Sequence, residues 1–218
     1  MTKAAEKQST ELESVQERIR NRLANINNTT QQVTGQNIST KGKVFRLPDG
    51  KTSQGPLNCV VVDYINKNMY YNEQYVEGEY AEPDCVAVGR EVKTMQPAET
   101  VENPVSELCD SCPKNQFGSK GRGKACSNNV VLAILPEDFT DDSELFTLKV
   151  SATALKHWTK YVRGLANQGL DPAQVVTSIS MDEDLAYPSL RFKSIGGNEQ
   201  LDAIGKFFPQ ADALLNAV

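Results

Sequence analysis

The chain has 218 residues, a formal charge of −5 and 39% hydrophobic residues, enough to bury a substantial core in one domain with appendages. That charge excludes a polycation that coats nucleic acid through its whole surface, so any such contact must come from a local basic patch. No apolar run approaches the ~18 residues a membrane span needs, and the polar, charged start carries no signal-peptide pattern. A cytoplasmic protein with reduced thiols is expected.

Residues 1–30 are expected to form a helix. Leu12, Val15, Ile19, Leu23 and Ile26 recur at spacings of three and four between charged flanks, and Thr10 can cap the start. An apolar stripe at a terminus packs either on its own domain or on a second copy. A polar run rich in Asn, Gln and Thr follows and is assigned as a linker over 31–41. From Gly42 the pattern turns strand-like. Lys43 to Leu47 reads as a short strand, Pro48-Asp49-Gly50 as a turn, and Leu57 to Ile65 as a long apolar strand in which Cys59 belongs to the core. Asn66-Lys67-Asn68 suggests a hairpin turn into Met69-Tyr70-Tyr71. Further strands are expected over Asp84 to Val88, Val130 to Leu135, Leu145 to Val150, Val175 to Met181 and Leu190 to Ile195. The uncharged run Val130 to Leu135 reads as a buried central strand. One helix is expected over Leu155 to Leu165, closed by Gly169, and a last one from Asn198 to about Phe207. Short strands, few helices and a loop inserted between strands point to an α+β protein. The version favoured is a small OB-like β-barrel over 42–218, carrying a zinc loop at 85–126, an N-terminal helix and C-terminal helices.

Four of the five cysteines lie between Pro83 and Cys126. Cys109 and Cys112 form a CxxC step, Cys126 follows a Gly- and Lys-rich loop, and Cys85 lies upstream. Four thiolates on separate turns can close a tetrahedral structural Zn²⁺ site. Two other readings stay open: reduced cysteines that only pack, and a redox pair. The second is disfavoured by the loop-forming residues after Cys112. Between Ser111 and Pro136 there is no Asp or Glu, while Lys114, Lys120, Arg122 and Lys124 fall within eleven residues. Lys and Arg neutralise phosphates, and Phe117 among them can stack on a base. Tyr64, Tyr70, Tyr71, Tyr75 and Tyr80 add aromatic surface upstream. Against this, such a loop is often a solvated turn, and some tyrosines are needed for the core.

Catalysis finds little support. The single histidine, His157, sits beside Trp158 in an expected helix, the clusters Asp141-Asp142 and Asp182-Glu183-Asp184 read as solvated turns, and there is no Walker loop, GxSxG or HExxH. No enzyme is expected.

The string CDSCPKNQFGSKGRGKAC, with PDCVAVG before it and VVLAIL after it, resembles a family of small bacteriophage proteins that share Pro-x-Cys, CxxCPxNxxGS and GKxC. Such proteins are often assigned as single-stranded DNA-binding proteins of phage replication and recombination. The likeness spans about 42–195. It implies that Cys85, Cys109, Cys112 and Cys126 bind Zn²⁺, and that Lys114, Asn115, Phe117, Lys120, Arg122 and Lys124 lie near the binding face, with Tyr70 and Tyr71 added from the aromatic pattern. It further implies largely sequence-independent binding of single-stranded DNA in the cytoplasm of an infected bacterium, with phage replication proteins as partners. The chain departs from many single-strand binders in ending QADALLNAV rather than in an acidic tail, so the N-terminal helix is the expected source of protein contacts, self-association included. The alternative is a zinc-stabilised phage structural or host-takeover factor that contacts proteins and no nucleic acid.

Overall fold

The sheet is laid out around its longest strand, β4 (Leu57–Tyr70). The computed structural model describes residues 36–73 and 81–217, all within the unit that starts at Gln36. The other strands are β1 (Asn37–Ile38), β2 (Phe45–Arg46), β3 (Thr52–Ser53), β5 (Cys85–Gly89), β6 (Ser127–Pro136), β7 (Phe146–Val150), β8 (Val175–Met181) and β9 (Leu190–Gly197). Three helices accompany them: α1 (Leu155–Ala166), α2 (Leu201–Ile204) and α3 (Phe208–Asn216).

Seven strands form one sheet in the order β1-β7-β6-β4-β8-β9, with β5 added to β4, while β2 and β3 pair separately. Only β1 with β7 is parallel. One edge of β4 pairs with β6 from Cys59 to Met69. The opposite edge is shared: Leu57 to Cys59 pair with β8, and Asn66 to Tyr70 pair with β5. β4 therefore reaches from the centre of the sheet into the cysteine region.

A register shift between Val61 and Asp63 changes which face each residue of β4 takes. Val60 and Val62 lie in one core cluster and Val61 in the other, yet beyond the shift Ile65 joins the cluster of Val60, while Tyr64 packs with that of Val61. The bulge thereby brings Tyr64, Asn66, Asn68 and Tyr70 onto the face covered by α1. Arg90 fixes this point with a two-pronged ion pair to Asp63, 2.8 Å on each arm, and a bond to Asp212 of α3.

The two clusters make three layers. On one face α1 buries Trp158 against Val61, Leu132, Leu148 and Ile179. On the other, α2, α3 and the turn between them bury Ile204, Phe207, Ala211 and Leu215 against Val60, Val131 and Leu135.

This architecture corrects the expected barrel. Among the described residues β1 and β9 end the strand order without pairing to each other, so the sheet stays open. The physical reason lies in β6, where Val130, Leu132 and Ile134 serve one core and Val131, Ala133 and Leu135 the other. A wall of a small barrel is dry only inside, whereas this strand is dry on both faces because helices cover both. The expected hairpin at Asn66–Asn68 is likewise absent: β4 runs on to Tyr70, because Asn66 Nδ2 donates to the carbonyls of Gly89 and Arg90, and Asn68 Oδ1 accepts from Asn128. Local turn propensity gave way to cross-strand partners. Within the assigned linker, Asn37–Ile38 is strand, and the single expected C-terminal helix is two. The expected N-terminal helix lies outside the described residues. Among those described, no helix is long and apolar enough to cross a membrane.

Candidate nucleic-acid interface

Residues 90–126 fold back over the far end of the α1 face. Cys85 starts β5 opposite Tyr70, and Cys126 immediately precedes β6. The CxxC step is tied down by backbone and amide bonds. Cys109 N–H donates to Met95 C=O at 2.9 Å, Asn115 N–H to Cys112 C=O at 2.9 Å, and Cys126 N–H to Lys114 C=O at 2.8 Å. The buried Asn115 adds a side-chain bond to Cys109 C=O at 2.7 Å. Beneath it, among the described residues, Ala87, Met95 and Cys109 form a small apolar cluster.

The four cysteines line one hollow, together with Asn68, Tyr70 and Lys114. The space open there to a water-sized sphere is ≈ 20 Å³, room for one water or one ion. In donor identity and number the hollow fits a structural Zn²⁺. Its geometry is not preformed: among the described residues no three His, Cys, Asp or Glu side chains make a metal-holding group. Burial pushes the Cys85, Cys109 and Cys126 thiols up, that of Cys126 to about 11, and in each case neighbouring cysteines add to the shift. Asn68 opposes the trend by hydrogen bonding to Cys109. That mutual influence follows from their proximity, and it favours neutral thiols at neutral pH until a cation displaces the protons. Cys59 is buried in the core, apart from this group.

The cationic segment stands outside the hollow. Gly121, with φ 59°, allows the turn between Lys120 and Gly123 that carries Arg122 at its tip. Lys120 and Arg122 are exposed, and Phe117 is 81% exposed with Lys124 Nζ 5.2 Å from its ring centre. None of Lys114, Lys120, Arg122 or Lys124 is in an ion pair with a described residue. The structure divides the expected contact residues into two groups. Phe117, Lys120, Arg122, Lys124 and Tyr71 are accessible to a ligand to differing degrees. Tyr70 is buried, with Lys114 Nζ 5.1 Å above its ring, and Asn115 is buried with both amide atoms bonded internally, so these two hold the loop and offer no stacking surface. Tyr75 and Tyr80 lie outside the described residues.

Between the loop and α1 runs a groove of about 450 Å³. Its floor is the sheet face with Tyr64, Asn66, Asn68 and Asn128, one wall carries Asp110, Gln116 and Lys124, and the other carries Trp158, Thr159 and Arg163. Asn66 spends its Nδ2 on two backbone carbonyls, which leaves Oδ1 as an acceptor for a ligand. Trp158 packs edge-on to Tyr64 at 5.1 Å and holds the helix wall to the floor.

Sequence reasoning missed the α1 wall, although a signal was there. From Leu145 to Leu170 the chain has no Asp or Glu, as between Ser111 and Pro136, while Lys149, Lys156, Lys160 and Arg163 lie in it. Of these cations the fold brings Arg163 to the groove opposite Lys124, whereas Lys149, paired with Val131, lies on the other face of the sheet. His157 faces Arg191, whose Nη1 lies 2.6 Å from its Nδ1 and 2.7 Å from its Nε2; loss of hydration and the guanidinium hold its pKa below the ordinary imidazole value. Asp182, expected in a solvated turn, is instead 7% exposed and paired with Arg191.

Comparison with protein-family models, curated proteins and solved structures finds no match to this chain.

Proposed function

We propose that this protein binds single-stranded DNA with little sequence preference, through the groove between α1 and the cysteine loop, as part of phage DNA replication or recombination. The observation that carries the reading is that Lys124 and Arg163, from two acid-free segments, stand across one groove with Asp110 as the single carboxylate in its lining, in a chain of net charge −5. Lys124 and Arg163 on opposite walls suit a backbone threaded between them, and the exposed Phe117 beside Lys124 suits a stacked base. The amide floor suits base edges of several kinds, since every base carries both donors and acceptors. Cys85, Cys109, Cys112 and Cys126 hold one Zn²⁺ in this reading. The metal supplies the cross-link that a three-residue apolar cluster cannot, and so keeps Lys124 and Phe117 against the groove. The phage setting rests on the likeness of the CxxCPxNxxGS and GKxC motifs.

The test is a fluorescence-anisotropy titration of a labelled single-stranded oligonucleotide at two salt concentrations, with metal measured on the same preparation. Expected are one Zn²⁺ per chain and an affinity that falls steeply with salt, because counterion release drives binding. Absence of binding at low salt would overturn the reading and leave the loop as a protein-contact surface.

A further inference from the structure

The outer side of α1 carries charges that work against the helix itself. Lys156, Lys160 and Arg163 are exposed, spaced three and four residues apart, and thus neighbours on one ridge. Like charges at that spacing destabilise a helix. Lys156 also stands in the first turn, where the helix dipole disfavours a cation, and that turn has no acidic residue and no side-chain cap; Arg163, in the last turn, is favoured by the dipole, so the opposing charges are Lys156 and Lys160. No described residue forms an ion pair with any of the three. An arrangement unfavourable in the free protein is complementary to an anionic partner.

The ridge leads somewhere. At about 100° per residue, Thr159 and Arg163 face the groove, while His157, Gly164 and Gln168 face the opposite flank of the helix. A second hollow, of about 410 Å³, opens there between α1 and β9 and is lined by Lys160, Arg191 and Ser194 among others. Asp182 and His157 both bond Arg191 and fix its guanidinium at the edge of this hollow. Ser194 Oγ makes no hydrogen bond to a described residue and is a spare donor. Lys156 and Lys160 thus lie on the path over the helix from one depression to the other.

We infer that single-stranded DNA does not end in the groove but crosses the outer face of α1, with phosphates on Lys156 and Lys160, and enters the hollow between α1 and β9. This deepens the proposed function and rests on it. The occupant is the continuation of the same strand, selected by charge: a backbone phosphate in the hollow meets Lys160, Arg191 and Ser194.

The test compares wild type with K156Q/K160Q in salt titrations, using oligothymidylates of about 4 and about 16 nucleotides, which bracket the range of known single-strand site sizes. Both lysines are exposed, and far-UV circular dichroism verifies that the variant keeps its fold. Expected is a salt slope lowered by about 0.7 per lysine for the long oligonucleotide, with the short one bound as by wild type. Equal slopes for both proteins on the long oligonucleotide would overturn the crossing while leaving the groove intact. A wild type that binds neither oligonucleotide would overturn the proposed function, and the crossing with it.

Discussion

One face of the sheet is covered by two structures built on different physics. Over one half lies α1, held by Trp158, Tyr64, Tyr161 and Phe192, whose rings meet at 5.1 to 6.0 Å, above a broad apolar cluster. Over the other half lies the cysteine loop, whose four thiols line a small hollow and which a buried asparagine and a cluster of three residues tie down. The helix half is stable because it removes apolar surface from water. The loop half buries too little for that and depends on directed bonds. A loop held by directed bonds can leave its charged tips in water, as Lys120 and Arg122 are left.

The sharpest way to break this contrast is C109S. Structural zinc sites contribute about 10–16 kcal/mol, so the variant is expected to lose stoichiometric metal and amide protection across 90–126, while β4 and β6 keep theirs in hydrogen exchange. Unchanged metal content would show that the thiols only pack. Acidity should act in the same direction. The Cys85, Cys109 and Cys126 thiols are held above the ordinary value by burial, so protons compete with the metal, and apparent Zn²⁺ affinity rises with pH by up to about tenfold per thiol per unit below their range. Competition titrations with a chromophoric chelator about one unit either side of pH 7.5 would read it; a flat response would mean the thiols are not the ligands.

W158A addresses the helix half. A loss of about 3–5 kcal/mol in denaturant unfolding is expected, with metal content unaffected. Metal loss in that variant would mean the two halves are one cooperative unit. F117A separates binding from folding, because a side chain 81% exposed contributes little to stability. It should weaken oligonucleotide binding by about 1–3 kcal/mol at unchanged melting temperature. The smallest effect is expected of D212N. It removes one arm of the exposed Arg90 network and should cost less than about 1 kcal/mol, a value above which Arg90 would be a structural hinge of the bulge rather than a surface clamp.

Patterns that depend on neighbours in the chain were legible. The Val175 to Met181 strand, the helix from Leu155 and the burial of Cys59 follow from periodicity and apolar runs, and the structure places them there. Cys85, Cys109, Cys112 and Cys126 do line one hollow, yet among the described residues no three of them make a metal-holding group. What was misread depended on partners far away in sequence. Asn66-Lys67-Asn68 carries turn residues, yet amide bonds to β5 and β6 keep it extended. Tyr70 belongs to an aromatic surface by composition, yet Lys114 covers it.

From its sequence alone the chain declares an apolar strand without charge at Val130 to Leu135, a cysteine loop with cations and two stretches free of acid. Such features are properties of a segment and survive translation into any fold. Whether the sheet closes, which face Tyr64 takes after the bulge, and that Arg163 stands across a groove from Lys124 were decided only by tertiary structure. Those outcomes depend on which strands pair and which helix covers which face, and one inserted residue in β4 is enough to redirect them.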